Sequence, residues 1–165
     1  MRVFLVEPYL TGSHQAWAEG YAAASQHEVH LVAHEGRFWK WRMQGAALTL
    51  ALQAAELVRE HGEPDVVLAS SMTNVPAFLG LTRDSVGNAA VALYRHEIQL
   101  TYPVSPRDLP DATYAMINWL SMAAADVVLF NSEFHRGAWF DAVPRMLRQF
   151  PDYQHSASRI DAVAA

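Results

Sequence analysis

"RVFLVEPYLTGSHQAW", residues 2–17, joins a strand to a helix across a short turn. The run RVFLVE at 2–7 is apolar enough for a strand covered on both faces, and Glu7-Pro8 closes it. Gly12, Ser13 and His14 then stand at a helix start. Four more apolar runs of strand length follow: EVHLVA at 28–33, DVVLAS at 65–70, AAVALYRH at 89–96 and DVVLFN at 126–131. They are rich in Val and Leu without clean alternation, the pattern of a parallel sheet. The stretches between read as helices. Over 13–25, Ser13 is the expected cap, and Trp17 and Tyr21 lie one turn apart. Over 42–60, Met43, Ala47, Leu50, Ala54, Leu57 and Val58 form one stripe. Over 113–125, Ile117, Leu120 and Ala124 share a side. Strands alternating with helices predict an α/β fold with a doubly wound, mainly parallel sheet.

The chain has 165 residues, 52% hydrophobic and 18% charged, enough for one domain with a sizeable core. No uninterrupted apolar stretch reaches the roughly 18 to 20 residues of a membrane span. The beginning, MRVFLVEP, is too short and too soon acidic for a signal peptide, so a cytoplasmic location is expected. The absence of cysteine excludes a disulfide scaffold, a thiolate zinc site and a thiol nucleophile. A formal charge of −5 disfavours a broad nucleic-acid footprint but leaves room for a local basic patch.

Ligands of open parallel sheets bind beyond the carboxyl ends of the strands. Every expected strand releases polar or aromatic groups there, and His14 and His96 should meet at one mouth. Gly12 and the free N–H groups of the helix start would attract an anion, Ser13 could cap or donate, and His14 could donate to an oxyanion. The ordinary alternative is a glycine turn with a serine cap. Neither G-x-G-x-x-G nor G-x-x-x-x-G-K-[ST] occurs, so NAD binding and P-loop chemistry are unsupported. RFWKWR at 37–42 interleaves cations with aromatics, which suits either a base with its phosphate or a helix start anchored by tryptophans. His96-Glu97 could supply a donor or a base, but lacks the second histidine of H-E-x-x-H, so no metal is expected. ASSMTN at 69–74 and Asn131-Ser132 could be binding groups or helix caps.

GSH at 12–14, KWR at 40–42, ASSMTN at 69–74, HEIQLTYPV at 96–104 and ADVVLFNSEF at 125–134 occur in one order. Together they resemble the N-terminal domain of the tRNA-queuosine α-mannosyltransferase family, within the wider GT-B glycosyltransferases. The family usually has asparagine where this chain has Ile98. The resemblance implies a Rossmann-like acceptor-side domain over 1–155, with 156–165 a tail or the start of an interdomain connection. It implies a donor-binding C-terminal domain, in the same chain or a partner's, that is not among these residues.

The implied chemistry is retaining transfer of mannose from a nucleotide-sugar, GDP-mannose in the first instance, to a hydroxyl, with queuosine-modified tRNA as the implied acceptor. The resemblance implies no cofactor on this domain alone and no hexosyltransferase activity from it alone. It assigns Gly12, Ser13 and His14 to the donor diphosphate and His96 to the transferred sugar. Ser71, Asn74, Glu97, Gln99 and Tyr102 would line the acceptor side, Asn131 would be a further substrate-binding residue, and Lys40, Trp41 and Arg42 would touch a nucleoside or tRNA backbone. The alternatives are a non-catalytic nucleotide- or nucleoside-binding module and, with less support because no G-x-S-x-G elbow occurs, a hydrolase using Ser13 or Ser71.

Overall fold

Pro8 does not end the first strand. β1 runs Arg2–Leu10, and its register against β2 (Glu28–Glu35) shifts between Glu7 and Leu10. Proline offers no N–H to a ladder, so it is tolerated at such an irregularity. The Glu7 side chain repairs the break, accepting the Tyr9 N–H at 2.8 Å. The structure, a computed structural model, describes residues 1–97, 112–149, 160 and 163.

The remaining strands are β3 (Val66–Ser70), β4 (Ala90–Arg95) and β5 (Val127–Phe130). All pair in parallel, in the order β2-β1-β3-β4-β5, so the winding reverses between β1 and β3. This is the doubly wound sheet expected, with its crevice beyond the carboxyl ends of β1 and β3.

Alternation along β1 divides the core. Phe4 and Val6 face a large cluster with α3 (Ala47–His61), α4 (Val75–Thr82), α5 (Thr113–Ala124) and α6 (Glu133–Leu147). Val3 and Leu5 face α1 (Gly12–Ala24) through Ala18, Trp17 and Tyr21. Trp119 and Trp139 are the largest fully buried side chains.

Three local expectations are corrected. The cap of α1 is Thr11, in extended conformation and without a side-chain bond, while Ser13 is exposed inside the first turn. The single helix expected over 42–60 is two: α2 (Trp39–Gly45) and α3, joined at Ala46. The stripe survives in α3, but Met43 packs into a separate cluster with Met72 and Tyr114. On α5 the buried face is Ala115, Asn118, Trp119 and Met122, whereas Leu120 is exposed, because the indole takes the core-facing position.

Candidate functional site

Gly12 opens α1 with φ +53, a conformation that glycine adopts without steric cost. It turns the chain so that His14, two residues into the helix, lies back over β1 and is buried. His14 Nδ1 is 2.9 Å from the carboxylate of Glu7, which is fully buried. His14 Nε2 is 4.0 Å from a Glu97 oxygen at the end of β4. Burial opposes a charge on this imidazole, but the hydrogen bonds to Glu7 and Glu97 overcome it and hold the pKa up at about 9. The same bond from His14 holds the Glu97 carboxyl below its usual range. His14 is therefore a cation at neutral pH.

His96 follows β4 directly, and its ring centroid is 4.1 Å from that of His14. Burial, then the positive charge of His14, push its pKa down to about 4. Trp17 and Tyr94, themselves stacked at 4.7 Å, each meet the His96 ring edge-on at 4.8 Å. Its Nε2 is buried and without a hydrogen-bond partner among the described residues. Two other expected site residues hold its backbone. The buried Ser71 Oγ accepts the His96 N–H at 3.3 Å, and Asn131 Nδ2 donates to the His96 carbonyl at 2.6 Å. Ser71 thus engages a backbone amide and not an imidazole, which gives the hydrolase alternative no support.

The other expected residues fall into three groups. Gly12 and Ser13 are exposed at the start of α1 beside His14. Asn74 caps α4, its side chain accepting the Ala77 N–H at 3.2 Å, and Ser132 caps α6 through the His135 N–H at 3.2 Å. Lys40, Trp41 and Arg42 stand on α2, where Trp41 and Arg42 line a separate cleft with Phe38 and the start of α3. Gln99 and Tyr102 lie outside the described residues.

Glu7 was not among the residues expected from sequence. Its signal was an acid closing an otherwise apolar buried run. Arg95, fully buried at the end of β4, was also missed. Its guanidinium carbon lies 3.8 Å from the Trp139 ring centroid, its Nη2 donates to the Glu97 carbonyl at 3.3 Å, and burial lowers its pKa to about 9 against the attraction of Glu97. Burial and the charge of Arg95 in turn push His135 to about 4.

Ligand atoms of Glu7, His14 and His96 lie within 4.8 Å of one another, as do those of Glu28, His30 and His61 near the opposite end of the sheet. In the first trio both ring nitrogens of His14 face carboxylates, Nδ1 toward Glu7 and Nε2 toward Glu97. Among the described residues no helix is long and apolar enough to cross a membrane.

The family model described as tRNA-queuosine alpha-mannosyltransferase N-terminal matches residues 2–164. A Drosophila melanogaster protein named tRNA-queuosine alpha-mannosyltransferase is 31% identical over 153 residues, covering 92% of this chain and 39% of that protein. The chain therefore spans well under half the length of that relative. No solved structure matches it. A five-stranded parallel sheet with its paired imidazoles at the carboxyl rim, matched end to end by this family model, places the chain in the tRNA-queuosine α-mannosyltransferase N-terminal family.

Proposed function

We propose that this chain is the acceptor-side domain of a retaining mannosyltransferase, acting with a donor-binding domain on a nucleotide-mannose, GDP-mannose in the first instance, and a queuosine-modified tRNA. The observation that carries this is the juxtaposition of a cationic His14 and a neutral His96, 4.1 Å apart at the sheet's carboxyl rim.

In the transfer, the bond from sugar C1 to the diphosphate oxygen breaks with its electron pair on the leaving phosphate. The acceptor oxygen bonds to C1 from the same face, and its proton passes to the leaving phosphate. Positive charge grows on the sugar and negative charge on the diphosphate. Gly12, Ser13 and the N-terminal amides of α1, with His14 behind them, face the growing negative charge. A cation already desolvated and held by Glu7 needs no reorganisation as that charge appears. His96, neutral and with a buried Nε2, is suited to hydrogen bonding the sugar, and Ser71 and Asn131 fix its backbone. Asn74, Glu97, Gln99 and Tyr102 belong to the acceptor side, and Lys40, Trp41 and Arg42 to the RNA.

The test joins the chain to its donor-binding domain and supplies GDP-mannose with queuosine-modified tRNA. His14→Ala and His96→Ala should each lower turnover by about 10²-fold or more with circular dichroism unchanged. Binding of both substrates without transfer, or unchanged turnover in both variants, would overturn the proposal.

A further inference from the structure

Phe38 is the one non-glycine residue among those described that holds a left-handed backbone, φ 55 and ψ 52. Strain of this kind persists where the surroundings impose it, and it gathers at ligand clamps. Here it gains no burial, because the ring it projects is 75% exposed. Trp41, one turn after Phe38, is 74% exposed. The two aromatics, with Arg42, Gly45, Ala46 and Thr49, line a cleft of about 290 Å³ open to solvent. At Gly45 the space a side chain would take is open, and the buried Ala46 adds only a methyl, so a flat ring can lie against this wall.

The polar groups of the cleft are unevenly used. Thr49 Oγ1 donates to the Ala46 carbonyl at 3.2 Å and receives His34 Nε2 at 2.6 Å. Arg42 Nε is buried without a hydrogen-bond partner among the described residues. Lys40, on the same short helix, lies outside the cleft with its Nζ 5.7 Å from the Trp39 ring centroid. Two exposed aromatic faces and a guanidinium in the cleft wall suit a planar heterocycle that carries a phosphate.

We infer that the Phe38–Trp41 cleft holds one unstacked base of the acceptor RNA, with Arg42 on its adjoining phosphate. Thr49 of the cleft meets His34 on the edge strand β2 at 2.6 Å, while His14 and His96 stand at β1 and β4, so the base is a neighbour of the modified nucleoside and not that nucleoside itself. The local cations reconcile an RNA partner with an acidic chain, since one clamped nucleotide needs no broad basic surface. The inference rests on the acceptor reading above for the identity of the RNA.

A fluorescein-labelled anticodon stem–loop RNA is titrated with the 165-residue chain, without sugar donor, and followed by anisotropy. Trp41→Ala and Phe38→Ala should each weaken binding by about 5- to 100-fold, and Trp41→Phe by less than about threefold. Both rings are exposed, so neither truncation opens the core. Arg42→Gln should reduce the salt dependence by about 0.7 in log–log slope. Failure of the wild-type chain to bind, equal binding by Trp41→Ala, or equally tight binding of a fully duplexed RNA would overturn the inference. So would displacement of the RNA by GDP that depends on Trp41, which would give the cleft to the donor's base. Trp41-dependent binding by a protein that transfers no mannose would sink the transferase proposal alone. Transfer with a Trp41-independent RNA affinity would sink the cleft alone.

Discussion

The imidazoles of His14 and His96, ring centroids 4.1 Å apart, differ in protonation at neutral pH: one is kept protonated to about 9, the other is neutral above about 4. Their environments differ in what each ring meets. Glu7 sits under His14, while His96 meets rings and the charge of His14. This arrangement makes stability depend on pH from both sides. His14 is raised above its ordinary 6.5, so its contribution is complete below about 6.5 and fades as pH rises to about 9. His96 is depressed, so the unfolded chain takes up the proton first and stability falls from about 6.5 toward about 4. His135, also held near 4, adds to the acidic limb. The melting temperature should peak near pH 6.5, with His14→Gln flattening the alkaline limb and His96→Gln the acidic one. A flat profile between pH 4 and 9 would contradict the assignment.

Glu7→Gln tests the source of the His14 charge. The amide oxygen can still accept the Tyr9 N–H that Glu7 takes at 2.8 Å, so the β1 irregularity stays bridged. What goes is the negative charge 2.9 Å from His14 Nδ1. Imidazole NMR should show the His14 pKa falling from about 9 back toward 6.5, with His96 becoming easier to protonate. A Glu7→Gln chain whose His14 still titrates near 9 would leave Glu97 as the holder of the charge.

The helix caps separate three hydroxyl- and amide-bearing residues that look alike in sequence. Ser132 and Asn74 each accept an N–H in the first turn of a helix, at 3.2 Å. Alanine at either should cost about 1 kcal/mol in urea denaturation. Ser13 makes no cap bond and is exposed, so Ser13→Ala should stay within about 0.5 kcal/mol. A loss at Ser13 equal to that at Ser132 would return it to the capping position.

Phe38→Gly should stabilise the chain. The left-handed conformation costs a side-chain-bearing residue about 1–2 kcal/mol and glycine little, and the exposed ring gives up almost no burial. A rise of a few degrees in melting temperature is expected, together with weaker RNA binding. Destabilisation would mean that the ring is packed in solution. Gly36 offers the opposite case. A Cβ there would collide with the Thr11 side chain at the mouth of α1, so Gly36→Ala should lower the melting temperature and displace the loop before α2.

By itself the sequence determined the layers. Five Val- and Leu-rich runs separated by helical stripes leave a parallel α/β sheet as the economical way to bury them, and parallel strands put His14, Ser71, His96 and Asn131 on one rim. Those are properties of local pattern and of chirality, which each segment carries alone. Tertiary packing decided which rim groups touch and in what state. Glu7 became the partner of His14 because α1 folds back over the strand; Ser71 and Asn131 became supports of His96 because β3 and β5 flank β4. Arg95 and Trp139 likewise meet only when α6 covers the sheet. Charge states follow from burial and from partners distant in the chain, and periodicity carries information about neither.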